Sequence, residues 1–172
     1  MIRLAMIGCG GNSAAHAQRM KVKSEVEIVA ACDVDTEVAD RYIETNLSDQ
    51  DTRPAAFYDV GTMLANTEVD AVLISTPHTL HFQQGMLALD AGCHVFMEKP
   101  MVTDVNDAYE LTRKVEESGV VFVIGYGTSC SGNFHYIRET IRSVSLGRLE
   151  LVTGYLTQDW LRITANTWRQ QL

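Results

Sequence analysis

Arg3-Leu4-Ala5-Met6-Ile7-Gly8-Cys9-Gly10-Gly11-Asn12-Ser13 is a short apolar run that breaks into a glycine turn. Such a run reads as a buried strand delivered into a tight turn. Ser13-Ala14-Ala15-His16-Ala17-Gln18-Arg19-Met20 follows, made of helix-compatible residues with Ala14, Ala17 and Met20 spaced to face a sheet. Glu27-Ile28-Val29-Ala30-Ala31-Cys32 is a second β-rich run, and it stops at Asp33-Val34-Asp35. Strand, turn, helix and strand in that order make a βαβ unit.

Outward from this unit the alternation continues. A helix is predicted from Thr36 to Thr45, an acidic loop from Ser48 to Pro54, and a short edge strand at Ala56-Phe57-Tyr58. One or two helical turns span Val60 to Ala65. A central strand, Val69 to Ile74, ends at Ser75-Thr76-Pro77. The next helix runs from Thr79 to Leu89 and closes at Ala91-Gly92. His94 to Met97 is a strand ending in Glu98-Lys99-Pro100. A helix from Val105 to Glu117 stops at Gly119, and Val120 to Ile124 closes the sheet. Parallel neighbours need crossover helices, so this spacing implies an α/β fold with a doubly wound, mostly parallel Rossmann sheet.

After Gly125 the texture changes to the polar loop Gly125-Tyr126-Gly127-Thr128-Ser129-Cys130-Ser131-Gly132, followed by a helix from Asn133 to Ser143. Leu149 to Gln158 alternates like a strand with one buried face. Trp160, Leu161, Ile163 and Trp168 then follow without partner elements. The domain boundary falls here: residues 1–125 form one domain, and 126–172 begin a second, incomplete one of α+β type. An unpartnered strand face with apolar neighbours predicts self-association, hence a homo-oligomer.

The composition of the 172 residues, 46% hydrophobic and 21% charged with 3 Pro and 12 Gly, excludes disordered and collagenous classes. Fourteen Lys and Arg against 22 Asp and Glu leave a net charge of −8, which repels nucleic acid and anionic lipid. Cys9, Cys32, Cys93 and Cys130 show no metal-ligand spacing and read as reduced thiols of a cytoplasmic protein. No apolar run approaches the roughly 18 residues of a membrane span.

The chemistry sits in Gly8-x-Gly10-x-x-Ser13, with Asp33 at the end of the next strand. The first glycine permits the tight turn, the second lets a pyrophosphate approach the backbone, and the helix N-terminus offers N–H groups and partial positive charge. Gly8 and Gly10 are therefore candidate pyrophosphate contacts. Ser13 stands where a third Gly or Ala is usual, though it is small enough for close packing. Asp33 can accept from both ribose hydroxyls of an adenosine and would repel a 2′-phosphate, favouring NAD over NADP. No Arg occupies 34 to 37, although Arg41 lies one helical turn further on.

Ser75-Thr76-Pro77-His78-x-x-His81 and Ala91-Gly92-x-His94-Val95-Phe96-Met97-Glu98-Lys99-Pro100-Met101 resemble the signature run of the Gfo/Idh/MocA family, from Arg3 to about Arg169. The resemblance implies an N-terminal Rossmann domain binding NAD or NADP and a C-terminal α/β domain with an open antiparallel sheet over the substrate. It implies oxidation or reduction of a secondary hydroxyl or carbonyl on a sugar, polyol or related small molecule. Carried over, Gly8, Gly10, Gly11 and Asn12 would hold the pyrophosphate and Asp33 the adenosine ribose, Ser75, Thr76 and Pro77 would line the dinucleotide with His81 nearby, and Glu98 would stand beside it. Lys99 resembles the family lysine that reaches the nicotinamide ribose and the substrate hydroxyl. The Lys99–Pro100 bond, often cis in this family, would then aim that side chain inward. Asn166-Thr167-Trp168-Arg169 resembles a Trp-Arg pair that some members fold back toward the cofactor.

Residue chemistry agrees with this role for Lys99, since an ammonium beside the reacting oxygen can donate or relay a proton. The alternative is a solvated Glu98–Lys99 ion pair at a strand end. His78 and His81 have the i, i+3 spacing a metal site can use, but no third ligand accompanies them and no metal is expected. His16 and His94 read as ordinary structural residues. The chain departs from the family where Gly127-Thr128-Ser129 follow Gly125-Tyr126 in place of Asn and basic residues. The family's catalytic Asp and His would lie beyond Leu172. A non-catalytic NAD-binding or sensing module is the alternative function, and another Rossmann reductase family is a third.

Overall fold

The computed structural model describes residues 1–159 together with Arg162, Thr164, Ala165, Thr167 and Trp168. It divides into two compact units, Met1–Gly125 and Tyr126–Leu172.

The first unit alternates strand and helix. Its strands are β1 (Ile2–Ile7), β2 (Val26–Cys32), β3 (Ala55–Phe57), β4 (Ala71–Ile74), β5 (His94–Met97) and β6 (Phe122–Ile124). Between them lie α1 (Gly11–Met20), α2 (Thr36–Asn46), α3 (Val60–Asn66), α4 (His81–Asp90) and α5 (Val105–Ser118). All pairings are parallel, in the order β3-β2-β1-β4-β5-β6. The short strand foreseen at Ala56 to Tyr58 is indeed an edge, displaced by one residue.

Period-two alternation in β1 explains the double winding. Ala5 and Ile7 point into a core with Val60, Met63, Leu89 and Leu111 of α3, α4 and α5. Leu4 and Met6 point the other way, into a core with Ala17, Tyr42 and Ile43 of α1 and α2. Asp35, Asp59 and Asp104 cap α2, α3 and α5 by accepting backbone N–H groups, so these three helices begin where the sequence expects them.

Some boundaries differ from the sequence reading. The β4 strand starts at Ala71, not Val69; at Asp70 the backbone N–H still donates to Arg3 O at 2.9 Å, while the carboxylate accepts from the Arg3 backbone N–H at 2.8 Å and from its guanidinium at 2.7 and 3.0 Å. A 3-10 turn, His78–Leu80, precedes α4. Helix α1 starts at Gly11, two residues before Ser13.

In the second unit, a 3-10 turn at Gly127–Cys130 leads into α6 (Gly132–Arg142), capped by the Ser131 hydroxyl. The strand expected from Leu149 to Gln158 is not formed, and every residue of that stretch is exposed. Its alternation has no neighbouring strand to hydrogen-bond, and a lone strand has nothing to stabilise it. Trp160, Leu161 and Ile163 lie outside the described residues.

Candidate functional site at the carboxyl ends of the strands

Strand register assembles the site. Ile7 pairs with Cys32 and with Ile74, Ile74 with Met97, and Met97 with Ile124. The residues that follow these strand ends, Gly8, Asp33, Ser75, Glu98 and Gly125, therefore form one row along the carboxyl edge of the sheet. Backbone bonds extend the ladder by one step: Gly8 N–H to Cys32 O, Ser75 N–H to Ile7 O, Glu98 N–H to Ile74 O and Gly125 N–H to Met97 O, at 2.8 to 2.9 Å. The strand order reverses between β1 and β4, where an open α/β sheet leaves a crevice for a ligand.

Gly8 faces that reversal with φ +88°, and a Cβ there would lie 2.6 Å from Ser75 O and 2.8 Å from Thr76 Cγ2. Both the backbone angle and the close approach require glycine. Gly10 and Gly11 are exposed, and a Cβ on either would meet no atom within 4 Å, so open space lies before the N-terminus of α1. No side chain caps that N-terminus and no acidic residue occupies its first turn, in contrast to the Asp-capped α2, α3 and α5. Donors facing open space fit a diphosphate.

Ser13 is fully buried, and its hydroxyl lies 2.9 Å from that of Tyr42 on α2. The departure from Gly or Ala is thus matched by a partner that the motif alone does not reveal. Asp33, half-buried, accepts from Cys9 N–H at 2.9 Å, which ties the end of β2 to the glycine turn. Burial, reinforced by the Asp33 charge, pushes the Cys9 thiol up to about 12, and burial pushes Cys32 up to about 11. These are protonated, unreactive thiols. Arg41 lines a cavity of about 350 Å³ with Cys9, Gly10, Gly11 and Tyr42.

At the end of β5, Glu98 pairs with His16 of α1, Oε1 to Nε2 at 2.7 Å, and its side chain is only 15% exposed. The Asn12 side chain also bonds it. The Glu98–Lys99 ion pair is not formed, and Lys99 is exposed with no ion-pair partner among the described residues. The Lys99–Pro100 bond is cis, as the resemblance implies. His16, a structural residue on the sequence reading, joins the first helix to the lysine-bearing loop. Its spacing of four from Asn12, which puts both on one helix face, was the available signal.

Thr76 Oγ1 donates to Gln84 Oε1 at 2.5 Å, and Ser75 and Pro77 are half-buried beside it. His81 is completely buried, with ring nitrogens on the Thr76 and Pro100 carbonyls. Trp168 is half-buried in the second unit, and Asn166 and Arg169 lie outside the described residues. No group of three or more His, Cys, Asp or Glu among the described residues is arranged to hold a metal ion. No helix among them is long and apolar enough to cross a membrane.

Residues 2–126 match the family model Gfo/Idh/MocA, described as an oxidoreductase family with an NAD-binding Rossmann fold. The chain belongs to this family. Among relatives of the Gfo/Idh/MocA chain, 4-carboxy-2-hydroxymuconate-6-semialdehyde dehydrogenase of Sphingobium is 29% identical, covering 81% of this chain and 43% of its own length. D-glucoside 3-dehydrogenase of Escherichia coli is 26% identical over 89% of this chain and 42% of its own. The chain spans about two-fifths of the length of these relatives. Of solved structures, the WlbA dehydrogenase of Bordetella pertussis, in complex with NADH and UDP-GlcNAcA, is 27% identical with a TM-score of 0.75, covering 86% of this chain and 41% of that one. The scyllo-inositol dehydrogenase of Lactobacillus casei shares the fold at TM-score 0.77 and 24% identity, covering 86% and 42%.

Proposed function

We infer that this chain is the cofactor-holding part of an NAD-dependent oxidoreductase acting on a secondary hydroxyl or carbonyl of a sugar, polyol or related small molecule. The observation that carries the reading is the in-register row Gly8, Asp33, Ser75 and Glu98 beside an uncapped helix N-terminus. Gly10, Gly11 and Asn12 would hold the diphosphate, Asp33 the adenosine ribose, and Ser75, Thr76 and Pro77 the dinucleotide's other wall. His81 and Glu98 would support that wall, and Trp168 and Arg169 belong to the cofactor-binding residues of this reading by their resemblance to the family's Trp-Arg pair. NAD, when bound, supplies the hydride acceptor. Lys99 is the catalytic residue of this reading, holding or moving the proton on the substrate oxygen.

NAD is favoured over NADP because the Asp33 carboxylate, in the role proposed for it, would repel a 2′-phosphate. A cytoplasmic homo-oligomer belongs to the same reading, supported by free cysteines and exposed apolar side chains. Residues 126–172 would open the substrate domain.

Calorimetric titration of the chain with NAD and NADP tests the proposal. NAD should bind clearly and NADP much more weakly. Asp33→Arg should cost NAD about tenfold or more in affinity, as expected for lost hydrogen bonds to a charged acceptor. Equal binding of both cofactors would remove the role of Asp33 and turn attention to Arg41. Binding with no turnover of any polyol or ketose by a chain extended to the relatives' length would favour a sensing module.

A further inference from the structure

His81 opens α4 in the core, so any influence on a cofactor runs through the groups its ring touches. Nδ1 lies 2.8 Å from Pro100 O and Nε2 lies 3.1 Å from Thr76 O. The two carbonyls belong to different loops: Thr76 follows β4 and Pro100 follows β5. A carbonyl only accepts, so each contact is a hydrogen bond only where the facing nitrogen carries hydrogen, and a neutral imidazole has a single N–H. The Thr76 loop is braced on its other sides by Gln84, through the Thr76 hydroxyl, and by the close approach of Gly8. The Pro100 loop has its brace at Glu98, bound by His16.

We propose that His81 is a positioning residue, a latch with hydrogen on both ring nitrogens that donates to the Thr76 and Pro100 carbonyls and fixes the two loops against each other. Through Pro100 it sets where the neighbouring Lys99 stands. The consequence for Lys99 rests on the function proposed above, whereas the latch itself does not.

Ligand-free, ¹⁵N-labelled chain provides the test, through long-range proton–nitrogen correlations of the His81 ring. His78→Gln identifies the signals, because the His78 ring lies 5.6 Å away. Hydrogen is expected on both nitrogens. His81→Gln, whose amide donates from one nitrogen only, should shift the backbone resonances of Thr76 and Met101 together. It should also weaken NAD binding roughly tenfold, the ratio that losing one buried hydrogen bond commonly gives. A single N–H on the wild-type ring, or shifts confined to one loop, overturns the latch. The wild-type ring measurement needs no variant to fold. Failure of the wild-type chain to bind NAD would count against the cofactor assignment alone, leaving the ligand-free result to decide the latch.

Discussion

The Glu98 carboxylate is held by groups that come from the other end of the sequence. Burial pushes it up, but the bonds from His16 and Asn12, the His16 charge and the Lys99 N–H outweigh burial and leave it below its ordinary value of 4.5. A carboxyl lowered in the folded state contributes stability above its unfolded value, and the contribution is lost as pH falls through the lowered one. Glu98→Gln removes it. The variant's urea midpoint should therefore fall less steeply than the wild type's between roughly pH 5 and pH 3. Parallel acid limbs would show that the His16–Glu98 pair contributes nothing to folding. At this scale Gly8 and Asp33 were legible, because backbone angle and charge are properties of residue type. His16 was not, because its partner lies 82 positions away.

Helices α1 and α2 are joined at the element scale by the Ser13–Tyr42 contact. Burial pushes the Tyr42 phenol up to about 12 even though the Ser13 bond opposes the shift. Among the described residues the two hydroxyls have each other as hydrogen-bond partners within a largely apolar cluster, so removing one leaves the other stranded. Ser13→Ala and Tyr42→Phe should each cost about 1–3 kcal/mol, and the double variant less than their sum, with a coupling of about 0.5–1.5 kcal/mol in a double-mutant cycle of urea unfolding. Strict additivity would mean the bond is not made. Element types in the first unit followed from periodicity and Asp caps, since those signals are local. The strand expected at Leu149 to Gln158 failed for the complementary reason that a strand exists only with a hydrogen-bonding neighbour.

Over the whole molecule, apolar surface is left uncovered in each unit. In the first, Ile2, Leu4, Phe96, Val121 and Val123 line an open apolar groove of about 200 Å³ on one face of the sheet. In the second, Leu151, Val152, Tyr155 and Leu156 are each more than 70% exposed. Such surface favours association. Light scattering of the chain should give a mass that rises with concentration, and Leu151→Glu with Leu156→Glu should shift the rise to higher concentration. A monomer unchanged across the range in both proteins would show that neither face drives self-association.

The alternation of apolar runs and helical segments, the glycine turn and the acid after β2 were determined by the sequence itself, because periodicity, φ freedom and charge are local. Register and strand order were decided only by the tertiary structure. They place Gly8, Asp33, Ser75 and Glu98 in one row, set His16 against Glu98, and turn His81 inward onto two carbonyls. Hydrogen bonding and close packing between distant segments make those choices, and neither leaves a mark in any local stretch of the chain.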